Sequence, residues 1–176
     1  MEGNFFRERD AELLKKMKAD LEAKDAREAL TSVSGIKEAN VLDALIENKI
    51  SPESMTAVAL IPLVAVAWAD GKMEAAESEA ILKAAAETGI EEGSASYDLL
   101  ASWLKEQPSD DLLDSWKAYV GAMAASIEPA ALSQLKSTII GRANGVAESA
   151  GGFLGLGNKV SEVELKVMDQ LSAAFG

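Results

Sequence analysis

The sequence predicts an all-α fold, a single-domain helical bundle of about seven or eight helices. The first observation is composition: 48% of the 176 residues are apolar but only 5% are aromatic, a balance that favours helices over strands. The second is that no segment alternates apolar and polar residues with the period of two of a half-buried strand. The third is that apolar residues recur at helical spacing between short groups of cap and turn residues.

Two helices are predicted in residues 1–50, which we assign to an N-terminal helical extension. The first runs from Phe5 to about Leu30, ends before Ser34 and Gly35, and has one apolar face of Leu13, Leu14, Met17, Leu21 and Leu30. A second, from about Glu38 to Asn48, repeats the helical spacing. We expect the first helix to pack on the core of its own bundle, because amphipathic helices usually do; docking on a partner is the alternative.

Residues 51–176 form the main predicted helical domain. Ser51, Pro52 and Glu53 are typical of a helix start, and the helix should continue through an apolar stretch to Ala69. Pro62 lies inside this stretch and is expected to kink the helix or break it, because its ring removes a backbone donor. Further helices are predicted over residues 74–87, 94–106 and 109–125, separated by glycine, serine and proline.

The C-terminal part combines a helix, a glycine-rich segment and a last helix. Pro129 is predicted to start a helix that runs through Ile140. Six glycines between residues 141 and 157 then predict a loop. The last helix begins with Ser161 and Glu164, whose spacing is that of a capping box.

A short internal repeat links the two parts of this domain. Residues 72–82 align with residues 159–169: each has a lysine, an apolar residue, three further residues, a glutamate and then an apolar pair. Both copies follow a turn that contains glycine. The repeat predicts a pseudo-two-fold pair of helix–turn–helix halves.

Charge and residue types exclude several function classes. The formal net charge is −12, so phosphate backbones are repelled and no nucleic-acid partner is expected. The chain has no cysteine and no histidine, which removes thiolate and imidazole chemistry and leaves only oxygen ligands for a metal. No arrangement of catalytic residues can be argued from spacing, so we expect a non-enzymatic protein with no catalytic or cofactor-binding residues.

Membrane insertion and secretion are also not expected. The longest apolar run, Met55 to Ala69, has fifteen residues, whereas a membrane-spanning helix needs about 20. The charged N-terminus lacks the apolar segment of a signal peptide, and the missing cysteines fit a reducing compartment. We therefore expect a cytoplasmic protein.

The turn at Asp70-Gly71 is the one segment that suggests a binding site. Asp70 ends one predicted helix and Glu77 lies in the first turn of the next, so a tight turn brings the two carboxylates close together. Hard cations such as Ca²⁺, Mg²⁺ or Mn²⁺ prefer several oxygen ligands at close range. The alternative is that the two acids serve the turn and the helix cap alone, since Asp-Gly pairs favour turns and acids favour helix starts.

The same segment resembles the TerB-like tellurite-resistance family. The resemblance lies in residues 65–73, which read Ala-Val-Ala-Trp-Ala-Asp-Gly-Lys-Met, and in Glu77 with the apolar pair after it; residues 159–168 resemble a second, related half. It covers roughly residues 52–176 and implies an all-helical stress-response domain, cytoplasmic or at the inner face of the membrane. The resemblance also implies that the domain binds divalent metal through acids and acts with other proteins. Carried over by position, the implied ligands are Asp70, Glu77 and Glu164, while no aspartate precedes Lys159 in the second copy, where position 158 is Asn.

The leading hypothesis is therefore a non-enzymatic, tellurite-resistance-like helical domain that binds a divalent cation and a protein partner. One alternative is a purely structural protein–protein interaction module. Another is a binder of a small apolar ligand that uses the helix around Pro62 and the glycine-rich loop. Neither the partner nor the oligomeric state follows from the sequence.

Overall fold

A computed structural model describes residues 2–151 and 162–175, and within these ranges the chain is a single all-α domain without strands. The described residues form eight α-helices and one 3-10 helix. The α-helices are α1 (Glu2–Ser34), α2 (Ala39–Glu47), α3 (Ile61–Ala67), α4 (Ala75–Glu87), α5 (Ala95–Lys105), α6 (Asp110–Ala124), α7 (Pro129–Gly151) and α8 (Glu162–Ala173), with the 3-10 helix over Pro52–Leu60. The predicted all-α single domain and the predicted helix number are confirmed, and the pseudo-two-fold pair of halves stays a prediction.

The short helix α3 lies at the centre of the bundle. It packs against α4, α6, α7, α8 and the 3-10 helix, and six of its seven residues are buried. A helix that is apolar on every side must be enclosed in this way. The same core includes Leu30 and Leu45 near one end of the chain and Phe175 near the other. Side chains on both sides of the predicted boundary at residue 50 thus share one core, and the boundary stays a prediction.

The helix start predicted at residues 51–53 is confirmed, and of the two outcomes expected at Pro62, a kink or a break, the structure shows a change of helix type at Ile61, one residue before the proline. The chain forms a 3-10 helix as far as Leu60, and α3 then begins with Pro62 in its first turn. Proline is tolerated there because backbone N–H groups in the first turn have no partner within the helix. The 3-10 helix packs on α5, where the Ser96 hydroxyl donates to the Glu53 carbonyl at 3.3 Å and also bonds the Thr56 hydroxyl.

The predicted loop from residue 141 is wrong as far as residue 151, since α7 continues to Gly151. The helical spacing of buried residues continues too, through Ile139, Ala143, Val146 and Ala147, and this face packs on α3 and α4. Gly141 and Gly145 lie on the exposed side. Each glycine lowers the stability of the helix by about 1 kcal/mol relative to alanine. Burial of the apolar side chains on the opposite face outweighs this cost. The rest of the predicted loop and the Ser161 cap lie outside the described residues.

Other helix ends follow the local signals. Gly35 and Gly89 adopt φ values of +75° and +89° after α1 and α4, a conformation that glycine reaches without strain. The Ser94 hydroxyl accepts a hydrogen bond from the Tyr97 backbone N–H at 3.2 Å and caps α5. These residues therefore end α1 and α4 and begin α5.

Helix α1 contacts the bundle through its C-terminal part. Leu30 is buried in the core. Arg27 makes a bidentate ion pair with Asp43 of α2, with Nε–Oδ1 and Nη2–Oδ2 distances of 2.6 and 2.9 Å. The guanidinium holds the pKa of the Asp43 carboxyl below its usual value. All side chains from residue 8 to residue 22 are exposed, so the expectation that this helix covers its own core is wrong for that part.

Within the described ranges, no single helix has the length and apolar character needed to cross a membrane. Only α2 taken together with Pro52–Ala67 meets those two criteria, and these segments meet at 87°.

Candidate carboxylate site

The Asp70-Gly71 turn has the geometry that its sequence predicts. The Asp70 Oδ1 atom accepts a hydrogen bond from the Lys72 backbone N–H at 3.0 Å, and the Gly71 N–H donates to the Trp68 carbonyl at 2.8 Å. Gly71 adopts a φ of +81°, which favours glycine. Asp70 is exposed, so its second oxygen is accessible from solvent on the turn that leads into α4.

Glu77 is a buried carboxylate at the start of α4. Its side chain is only 3% exposed although it carries an ionisable group. The Oε1 atom accepts a hydrogen bond from the Glu74 backbone N–H at 3.2 Å, which is one half of a capping box. Charged side chains are almost never buried to this extent without compensation, and one backbone hydrogen bond is modest compensation.

The environment of Glu77 raises its pKa from 4.5 to about 7. Burial is the main cause, because the charged form loses its hydration. The hydrogen bond from the Glu74 backbone opposes this and lowers the pKa. The negative charges of Glu164, Asp70 and the Glu74 side chain then raise it further. Near neutral pH, Glu77 therefore lies close to the point where its protonated and ionised forms are equally populated.

Glu164 reaches this site from the other end of the chain. It lies in the first turn of α8, its side chain is half-buried, and its Oε2 atom is buried. Its charge acts on Glu77 more strongly than those of Asp70 and Glu74 do. The structure therefore brings Asp70, Glu77 and Glu164 into one electrostatic environment, from the α3–α4 turn, the start of α4 and the start of α8.

The arrangement does not form a closed metal cage. Among residues 2–151 and 162–175, no three acidic side chains are grouped closely enough to hold an ion between them. Mg²⁺ does not need such a group, because it keeps several water ligands and binds to proteins through one or two carboxylates. The carboxylates of Glu77 and Glu164 are the buried or half-buried ones in this environment, and Asp70 adds negative charge from the turn.

A second feature adjoins the turn and was not identified from the sequence. A groove of about 420 Å³ lies between α3, the start of α6 and α8. Trp68 lines it, and its indole N–H donates to the Trp103 carbonyl at 2.8 Å. Asp110 and Asp114 of α6 also line the groove. The i, i+4 spacing of Asp110 and Asp114, which places the two on one side of α6, is the signal that the sequence carries.

Comparison of the chain with protein-family models, with curated proteins and with solved structures finds no match. The resemblance to the TerB-like family therefore remains a prediction from the turn and the repeat.

Proposed function

We propose that this chain is a non-enzymatic helical interaction protein that binds a divalent cation at Glu77 and Glu164, with Asp70 contributing charge. The observation that carries the proposal is the burial of Glu77 beside the negative charges of Glu164 and Asp70. A carboxylate in such a place is stabilised either by taking up a proton or by a bound cation.

Competition between proton and cation determines the expected behaviour. The cation binds the ionised carboxylate, so binding at about pH 7 releases part of the proton that Glu77 holds in the free protein. With two carboxylates and no closed cage, we expect weak affinity, with a dissociation constant on the order of 10⁻⁴ to 10⁻³ M. Binding should therefore tighten as pH rises through 7 and level off above it.

The biological setting of the proposal comes from the family resemblance. It is a cytoplasmic stress response of the tellurite-resistance type, in which the domain acts through a protein partner. The internal repeat adds the inference that the α3–α4 turn and the start of α8 are pseudo-two-fold equivalents, because Glu77 and Glu164 occupy matching positions. On this basis the α3–α4 turn and the start of α4 supply two carboxylates, Asp70 and Glu77, and the start of α8 supplies one, Glu164.

Titration calorimetry with Mg²⁺, Ca²⁺ and Mn²⁺ tests the cation site. For the wild type at about pH 7, we expect a binding heat that changes with the ionisation enthalpy of the buffer, because protons are released. Glu77→Gln should abolish the heat, whereas Glu79→Gln should retain it, since Glu79 is an exposed glutamate two residues further along α4. A wild type that gives no heat with any of the three ions contradicts the site.

The capping box supports a second candidate, a purely structural interaction module. Glu77 accepts from the Glu74 backbone, and this contact alone gives the side chain a role at the start of α4. In this case Glu77→Gln changes the stability of the protein while no divalent cation binds to either form. Calorimetry and unfolding measurements on the same pair of proteins therefore separate the two candidates.

A further inference from the structure

The groove beside Trp68 has the dimensions of a small-molecule site. Its volume of about 420 Å³ falls within the range of pockets that hold small ligands. It adjoins the carboxylate site through the turn, but its lining residues include neither Glu77 nor Glu164. A ligand in the groove therefore binds apart from a cation at those two glutamates.

The accessible apolar surface of the groove comes from half-buried side chains. Trp68 is one of them, and the hydrogen bond from its indole N–H to the Trp103 carbonyl fixes the orientation of the ring. Leu113 of α6 and Val167 of α8 are the others with large side chains. A ring that is already fixed loses little conformational freedom when a ligand packs against it. The groove thus offers a small, preorganised apolar surface.

The α6 side of the groove carries two carboxylates that have no partner among the described residues. Asp110 and Asp114 both line the groove and are exposed, and their i, i+4 spacing separates their Cβ atoms by about 6 Å. Within the described ranges, neither side chain makes an ion pair or a hydrogen bond. Lys117 follows Asp114 by three residues, but its Nζ atom donates to the Gln170 Oε1 atom at 2.8 Å instead. Both carboxylates are therefore available to a ligand.

We propose that this groove binds an amphipathic organic cation, a small molecule with an ammonium group and a short apolar body. The ammonium group donates to the carboxylates of Asp110 and Asp114, and charge makes such hydrogen bonds stronger than neutral ones. The apolar body packs on Trp68, whose ring also attracts a nearby cation. An anion is repelled by the same carboxylates, and an uncharged molecule gains nothing from their charge. The proposal goes beyond the divalent-cation site and does not depend on it.

An NMR titration of the full chain with hexylammonium tests the site. The amine of this probe is protonated at about pH 7, as a lysine side chain is in water. Proton–nitrogen correlation spectra follow the indole N–H signal of Trp68, assigned by its loss in Trp68→Phe. We expect a saturable shift with a dissociation constant on the order of 1 mM, which suits a probe of this size.

Hexanol and hexanoate have the same apolar chain without the positive charge, and each should bind at least about fivefold more weakly than hexylammonium. A Trp68 signal that does not move with hexylammonium up to about 20 mM overturns the proposal. Hexanol that binds as tightly as hexylammonium overturns it too, because the groove then recognises only the apolar body.

Charge variants locate the bound probe. Asp114→Asn should raise the dissociation constant for hexylammonium at least about threefold. Asp111→Asn is the matched control, because Asp111 is an exposed aspartate of the same helix that does not line the groove, and the change should stay within about 1.5-fold. Circular dichroism verifies that both variants fold. Equal weakening by the two variants would mean that the net charge of −12 alone attracts the probe, and would overturn the proposal.

Glu77→Gln separates the groove from the carboxylate site. It should leave the dissociation constant for hexylammonium within about 1.5-fold, whatever calorimetry shows for Mg²⁺. A probe that is weakened by Glu77→Gln and not by Asp114→Asn binds at the carboxylate site instead, and overturns the proposal.

Discussion

Replacing Glu77 by glutamine should stabilise the protein in alkaline solution and leave it nearly unchanged in acid. Glutamine keeps the shape of the side chain and an oxygen that can accept from the Glu74 backbone, but it removes the buried negative charge. The substitution therefore isolates the cost of ionising this one group inside the protein.

The magnitude follows from the pKa of Glu77, about 7 in the folded protein against an ordinary value of 4.5. Because the folded-state pKa is the higher one, the folded chain binds more protons between these values, and the stability of the wild type falls as pH rises through that interval. At about 1.4 kcal/mol per pKa unit, ionisation of Glu77 lowers the free energy of unfolding by about 3 kcal/mol. Salt screens the charges of Glu164 and Asp70 and reduces this effect to about 2 kcal/mol.

Urea unfolding followed by tryptophan fluorescence measures this effect at a series of pH values. We expect Glu77→Gln and the wild type to agree within about 0.5 kcal/mol near pH 4.5 and to differ by about 2–3 kcal/mol above pH 8, with the variant more stable. Glu79→Gln is the control and should change stability by less than about 0.5 kcal/mol throughout, since Glu79 is exposed.

Two outcomes would refute this reasoning. A stability difference between Glu77→Gln and the wild type that does not vary with pH would mean that Glu77 ionises normally in the folded protein. A variant that is less stable than the wild type above pH 8 would mean that the charged hydrogen bond from Glu74 outweighs burial and the repulsion by Glu164. Either result removes the electrostatic basis of the cation site.

Three further predictions concern the fold and can be measured by urea unfolding. Phe175→Ala should cost about 3 kcal/mol, because Phe175 is buried edge-to-face on Trp116 with ring centroids 5.7 Å apart; a cost below 1 kcal/mol would separate the C-terminus from the core. Gly71→Ala should cost about 1 kcal/mol through its φ of +81°, whereas Gly121→Ala, in the last turn of α6 with no atom near an added Cβ, should stabilise by about 0.5 kcal/mol; equal signs would contradict this. Ser94→Ala should lower the free energy of unfolding by about 1 kcal/mol, because it removes the α5 cap; an unchanged stability would mean that this hydrogen bond does not stabilise the helix.

Helix positions could be predicted from the sequence wherever a local signal determines them. Ser94 caps α5, Pro129 starts α7 and Gly89 ends α4, each because a cap or backbone preference acts over a few residues. Tertiary contacts decided the remaining elements. The 3-10 helix that precedes Pro62 is hydrogen-bonded to Ser96 of α5, whose hydroxyl donates to the Glu53 carbonyl and bonds the Thr56 hydroxyl, and no local sequence pattern predicts these contacts.

Composition was misleading where packing opposed it. The glycines at 141 and 145 predicted a loop, but the buried face formed by Ile139, Ala143 and Val146 continues the helix through them. The apolar residues keep the 3.6-residue helical period beyond Gly141, and this period predicts that the helix continues. The exposure of α1 could not be predicted, because an apolar stripe does not reveal whether its partner lies in the same chain.

The candidate site was predicted in part. The Asp70 turn and the place of Glu77 in the first turn of α4 follow from the local sequence, and the structure has both. The burial of Glu77 and the approach of Glu164 depend on how α8 packs on the bundle, which the sequence suggested only through the repeat and the resemblance. Whether a cation binds there stays a prediction.

The measurement that tests the central claim most directly is a carbon NMR titration of the Glu77 carboxyl group, assigned by its loss in Glu77→Gln. In the absence of divalent cations, we predict a midpoint near pH 7, in agreement with the raised pKa of this buried group. Addition of about 10 mM Mg²⁺ should lower the midpoint by at least about one pH unit, because the cation competes with the proton for the same oxygens. A midpoint near 4.5 without Mg²⁺, or one that Mg²⁺ leaves unchanged, would contradict a cation site at Glu77.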